Sequence, residues 1–235
     1  MSNPKHTAVR RGPRIALIHA LAESLQPIHE AFDEHWPEAV TFDVFDSSLA
    51  PDLAHAGVLQ QSMIDRFLTL GNYAANAAGE GGRTAGILFT CSAFGPAIDA
   101  VKAALPMPVL RPNEATFDRA LASGRHIGLL VTFPPSLPAL ESELRAMAAE
   151  RGVEITVTSR VIEGALEALQ RGDAETHDGL AAAVAERMPQ TDCLILGQFS
   201  LARAARAIKP VAGREVLTTP QRAVEQLRAM LANAT

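Results

Sequence analysis

Short apolar runs rich in Val, Ile and Leu alternate with longer stretches of helical period along nearly all of this 235-residue chain. A run of roughly four to eight such residues between turn signals reads as a buried strand. Strand, helix and strand in succession read as a parallel crossover unit, which lays helices on both faces of a sheet. Strands are expected at residues 14–18, 40–45, 85–89 and 109–110, with helices at 25–35, 59–78 and 96–105. Pro51 is expected to keep the polar stretch Asp46-Ser47-Ser48 from becoming helix.

The pattern starts again after Pro112, where we place a lobe boundary. A helix reaches to about residue 122; strands follow at 126–131, 154–158, 193–196 and 215–217, and helices at 137–151, 163–170, 174–188, 201–208 and 220–232. Each half reads as a small, mostly parallel α/β sheet flanked by helices. The first lobe takes residues 14–111 with 212–235, the second takes 112–211, and residues 1–13 form a disordered tail. With 9 Phe, 1 Trp and 1 Tyr the core has to be aliphatic, which disfavours an aromatic-rich β-sandwich.

Several function classes are excluded on simple grounds. A formal net charge of −5 with scattered Lys and Arg supplies no broad positive field, so no nucleic-acid partner is expected. The N-terminus lacks an apolar signal region and no window reaches the roughly 18 to 20 apolar residues of a membrane span, so no membrane partner is expected. Two cysteines, Cys91 and Cys193, without a C-x-x-C pair exclude a disulfide framework and a zinc or redox pair; no metal is expected and a reducing cytoplasm fits. No G-x-G-x-x-G, phosphate-loop or G-x-S-x-G sequence occurs, and Gly79-Glu80-Gly81-Gly82 reads as a loop break.

Two segments stand out. Gly86-Ile-Leu-Phe-Thr90-Cys91-Ser92-Ala93 and Cys193-Leu-Ile-Leu-Gly197-Gln198-Phe199-Ser200 each run from a buried strand through small or polar residues into a helix. Ligands of open α/β sheets bind at that strand edge, and a helix N-terminus offers free N–H groups to an anion. Two such edges face to face would enclose a small carboxylate.

Cys91, at a helix opening, is the candidate reactive group: the positive helix end would lower its thiol pKa, although a buried structural thiol is equally open. Cys193, inside an apolar strand, reads as structural. Backbone N–H groups of Ser92 and Ala93 could hold a carboxylate or simply form a helix cap, and Thr132 at the next strand end has the same two readings. Gln198 and Ser200 mirror the Cys91 edge. His19, ending the first strand, is a pocket or a core residue, while His6 falls in the tail and His29, His35 and His177 on solvated helix faces. Asn113 and Glu114 stand behind the site, Glu114 being equally readable as a solvated first-turn acid. A cysteine or serine hydrolase would need His19 or another imidazole beside Cys91.

The Thr90-Cys91-Ser92-Ala93 turn, the Gly197-Gln198-Phe199-Ser200 turn, residues 112–115 and the order of elements resemble the aspartate/glutamate/hydantoin racemase superfamily, which also includes arylmalonate decarboxylase and maleate isomerase. The resemblance covers about residues 14–232. It implies two pseudo-symmetric Rossmann-like lobes with the active site between them, no cofactor, a small carboxylate or dicarboxylate substrate, and a homodimer as one assembly state. Racemases of the family use one cysteine from each lobe; the first maps to Cys91, and the second position is Gln198, which carries no transferable proton. The resemblance thus implies an isomerase-type enzyme using Cys91 for acid/base or nucleophilic chemistry next to a carboxylate. A single-cysteine decarboxylase and a non-catalytic carboxylate-binding protein are the alternatives.

Overall fold

The computed structural model describes residues 12–233. The expected tail therefore falls, for residues 1–11 including His6, outside the described residues. Gly12 and Pro13 already pair with the second strand: Gly12 N–H donates to the Glu38 carbonyl, and Val40 N–H to the Pro13 carbonyl.

The first sheet is built from β1 (Arg14–His19), β2 (Val40–Phe45), β3 (Ala78–Gly79), β4 (Gly82–Phe89) and β5 (Val109–Leu110). Its parallel part runs β2-β1-β4-β5, and β3 forms a short antiparallel hairpin with the start of β4. The helices α1 (Leu25–His35), α2 (Leu49–Ala56), α3 (Gln61–Asn76) and α4 (Gly95–Ala104) cover it. Strand periodicity sorts the core: Ala16, Ile18, Ile87 and Phe89 join one apolar cluster, while Ile15, Leu17 and Leu88 join another on the opposite face.

Asp46-Ser47-Ser48 stays non-helical as expected, but α2 starts directly after it at Leu49 and takes Pro51 in its first turn. There the missing N–H has no intrahelical acceptor to lose, so the ring costs little. Gly57, with φ +70°, then ends α2 in a left-handed conformation.

The second sheet contains β6 (His126–Val131), β7 (Thr156–Val161), β8 (Cys193–Leu196) and β9 (Glu215–Thr218), all parallel in the order β7-β6-β8-β9. Between and around them lie α5 (Glu114–Ser123), α6 (Ser136–Glu150), α7 (Ala165–Gln170), α8 (Ala174–Glu186) and α9 (Thr219–Ala232). The strand at 215–218 belongs to this second sheet, not to the first lobe with which residues 212–235 were grouped. Its backbone pairs with β8 from Cys193 to Leu196. Only α9 crosses back, burying Ala223, Val224 and Leu227 with Ile28, Phe32 and Leu88. The segment at 201–208, expected to be α-helical, is instead a 3₁₀ helix, Phe199–Arg206.

The two sheets thus repeat one strand order. In each, the chain leaves the first strand toward one side and returns on the other, which creates a switch point at the carboxyl ends of β1 and β4 and again of β6 and β8. Cys91 follows β4, and Gln198 follows β8.

Candidate active site

Both switch points are bridged by the protein's own side chains. In the first lobe His19 is fully buried. Its Nε2 lies 2.9 Å from Asp43 Oδ1, and its Nδ1 lies 2.8 Å from Thr90 Oγ1. Burial alone would raise the Asp43 carboxyl, but hydrogen bonds from His19 and His29 outweigh it and hold the group well below the usual carboxylate range. With both ring nitrogens engaged, His19 orients Thr90 and is not the base of a cysteine hydrolase. Asp43, which sequence reasoning missed, sits at an outward position of β2, and nothing local marks it as a partner of a histidine 24 residues earlier.

In the second lobe the Gln198 side-chain oxygen accepts from Thr132 N–H at 2.6 Å, from the Thr132 hydroxyl at 2.9 Å and from Phe133 N–H at 3.3 Å, while its amide donates to Ser136 Oγ at 3.3 Å. Gly197 permits this close approach, since a Cβ there would meet Leu129 Cδ1 at 2.9 Å and Leu140 Cδ1 at 3.0 Å. Thr132 and Gln198 are therefore neighbours, as an edge-to-edge site requires, but they are spent on each other.

Ser92 ties the two edges together. Its hydroxyl donates to the Gly197 carbonyl at 2.9 Å and accepts from Asn113 Nδ2 at 2.8 Å, all buried. Asn113 thus stands directly behind the Cys91 turn, at the crossing between lobes. Glu114 is further out, ion-paired with Lys102 of α4. Ser200 is buried and lines a cavity of about 600 Å³ with Ala22, Glu23, Asp178 and Arg203.

Cys91 itself is 7% exposed and belongs to an apolar cluster that includes Ala20, Leu53 and Ala93 of the first lobe with Phe133 and Leu166 of the second. Burial pushes its thiol up to about 11, although a hydrogen bond from the Ala93 backbone N–H pulls the other way. The lowered thiol pKa expected from a helix opening is thus not found. Cys91 has extended backbone and precedes a three-residue 3₁₀ turn, Ser92–Phe94, so α4 and its dipole begin only at Gly95. Cys193 is fully buried against the α5 and α6 face of the second sheet, and burial first, then Asp192 and Glu215, push its thiol up to about 12. His177 is not solvated as expected: it is fully buried, with Nδ1 2.7 Å from Asp178 Oδ1.

A cavity of about 450 Å³ opens between the lobes beside this turn, lined by Leu59, Ala93, Pro96, Pro135, Arg111 and Glu143 among others. Glu143 was not anticipated either. It pairs with Arg111 at 3.2 Å, its Oε1 has no hydrogen-bond partner among the described residues, and burial pushes its carboxyl from 4.5 up to about 7 against the pull of Arg111. Between those two values the folded chain keeps a proton that the unfolded chain has lost, so this group's contribution falls as pH rises through the window. Glu143→Gln is therefore expected to stabilise the protein at pH 8, by at most about 3 kcal/mol at 1.36 kcal/mol per unit, and to change little at pH 5. Thermal unfolding at both pH values checks this; a loss of stability at pH 8 would show that the Arg111 pairing dominates.

Known proteins place this geometry in context. The chain matches the sequence profile described as Asp/Glu/Hydantoin racemase over residues 19–227. No individually curated protein matches it by sequence. Among solved structures it is similar to glutamate racemase isoform RacE1 from Bacillus anthracis, with TM-score 0.71 and 14% identity over 95% of this chain and 83% of that one. It is also similar to allantoin racemase from Pseudomonas fluorescens, with TM-score 0.66 and 15% identity over 94% and 92% of the two chains. A Gly74Cys mutant of arylmalonate decarboxylase gives 0.63 and 16% over 95% of each. The profile covers most of the chain, including the Cys91 and Gln198 turns, and on that match this chain belongs to the Asp/Glu/hydantoin racemase family.

Proposed function

We propose that the protein is a cofactor-independent enzyme that moves a proton on one face of the carbon next to a carboxylate of a small acid, with Cys91 as the group that carries the proton. The observation behind this reading is the pairing of a buried, protonated thiol after β4 with a glutamine, pinned and unable to transfer a proton, at the equivalent place after β8. The Ser92 backbone N–H would hold the carboxylate and the enediolate-like charge that develops on it, while the Ala93 N–H, which donates to the Cys91 sulfur, would steady the thiol beside it. Asn113 and the Gly197 carbonyl keep that turn in place through Ser92.

A thiol with a pKa near 11 is thiolate in only about one molecule in ten thousand at pH 7. Decarboxylation followed by protonation uses the form that burial favours. The C–C bond breaks, carbon dioxide leaves, and the electron pair stays on the α-carbon and its remaining carboxylate. The Cys91 S–H bond then breaks as the new C–H bond forms, and the thiolate recovers its proton from water. An isomerase-type proton shift on the same face is the second reading, favoured by the family and by the racemases among the similar structures. It needs the thiolate first. Because Cys91 is closed off, either reaction requires the lobes to part for substrate entry.

A panel of substituted malonic acids and amino acids followed by NMR in D₂O tests the proposal. A product carrying one deuteron on one face, as a single enantiomer, is expected. Racemisation of aspartate or glutamate at enzyme-like rates would overturn the one-face reading.

A further inference from the structure

The three donors gathered at the end of β6 form a cradle of the kind that holds a carboxylate oxygen. Two backbone N–H groups and one hydroxyl converge on a single acceptor, the Gln198 side-chain oxygen, at 2.6, 2.9 and 3.3 Å. Thr132, Ser136 and Gln198 are all buried, and all of these partners are uncharged. Fixed N–H and O–H dipoles aimed at one point in a water-poor setting are worth most when the acceptor is an anion. The amide of Gln198 satisfies the same donors without bringing charge.

Around the Cys91 turn the packing is apolar, and the Arg111 guanidinium in the neighbouring cavity is already paired with Asp99 and Glu143. Ala20, Phe133 and Leu166 belong to the cluster that contains Cys91, with Leu21 packed against it. A diacid reaching from one lobe to the other would need a second carboxylate site, and the place where the second lobe offers one is taken.

We propose that Gln198 is a specificity-determining residue: it occupies the second lobe's carboxylate cradle from within, so the enzyme takes acids charged at one end only, with an apolar group at the other. A geminal diacid counts as one charged end; a diacid of succinate or glutarate length is excluded. This rests on the reading of the Cys91 turn as the reacting site, and the test is arranged so that the two can fail separately.

Calorimetric titration compares Cys91→Ser with Cys91→Ser/Gln198→Ala, using butyrate, succinate and glutarate as probes, so that no turnover is needed. Removing the glutamine side chain frees the cradle. The double variant is expected to gain at least about tenfold in affinity for succinate or glutarate, with butyrate affinity unchanged. Acetate is further expected to raise the melting temperature of Gln198→Ala more than acetamide does, and by more than it raises that of the unsubstituted protein. If Gln198→Ala is insoluble, Gln198→Ser is measured in the same way. A folded variant that gains no diacid affinity, or is rescued by acetamide but not by acetate, overturns the proposal. So does an unsubstituted chain that binds succinate as well as butyrate. A gain in diacid affinity alongside an inert Cys91 would instead leave the cradle standing and remove the catalytic reading.

Discussion

Replacing Cys91 by serine is expected to lower turnover about 10³-fold while leaving affinity for a small carboxylate nearly unchanged, the magnitude being typical of a lost proton-transfer group. Serine keeps the size and the backbone of the turn but is a far weaker acid than even a raised thiol. A carboxylate-binding protein without activity would show no turnover to lose, and binding measured in parallel separates the two. The pH profile adds a second discriminator. If the neutral thiol is the acid, activity is level through neutral pH and declines as Cys91 deprotonates toward about 11; if the thiolate must act first, activity climbs with pH over the same range. Alkylation of Cys91 should accelerate with pH from 7 to 10 without a plateau, with Cys193 slower still because its thiol is pushed up to about 12. A plateau near pH 7 would show that the thiol is activated and that the thiolate reading is correct.

Phe67→Ala is expected to cost about 3–5 kcal/mol of stability, the usual range for emptying a buried aromatic site. Phe67 lies on α3 and is almost fully buried. Its ring stacks on Phe89 at 5.2 Å and meets Phe94 at 4.8 Å between centroids. Those two rings bracket the Cys91 turn, one at the end of β4 and one at the end of the 3₁₀ turn. Losing the middle ring therefore removes two aromatic contacts as well as apolar burial. For a chain of this length the melting temperature should drop by roughly 6 to 20 °C. Cys91 should also alkylate faster at pH 8, since the turn is no longer held against α3. A loss below about 1 kcal/mol would mean that the neighbouring side chains close the gap, contrary to the packing of a close-fitted core.

Much of the framework was legible without coordinates, and particular elements show why. The helix at Leu25–His35 and the strands Val40–Phe45, His126–Val131 and Cys193–Leu196 follow from local apolar periodicity and from the turn residues that bound them. Around Pro51 the ambiguity is local as well: a proline forbids a helix interior but suits a first turn, so Asp46-Ser47-Ser48 stays a turn while α2 begins at Leu49 just after it. The β9 error is different in kind. Its four residues read equally well as a strand of either sheet, and only backbone pairing with β8 assigns them.

The amino-acid order alone determined that the chain is an α/β protein with two repeating halves, and that Cys91 and Gln198 stand at equivalent strand ends. Those properties depend on neighbours a few residues away, through strand and helix periods and the residues that interrupt them. The tertiary structure decided what these groups are. It closes apolar residues of both lobes around Cys91 and so keeps the thiol protonated, commits His19 to Asp43 and Thr90, buries Glu143 beside Arg111, and fills the Thr132 cradle with Gln198. Each of these rests on contacts between residues tens of positions apart, and burial and pairing at that range set protonation and hydrogen-bond partners that no local pattern encodes.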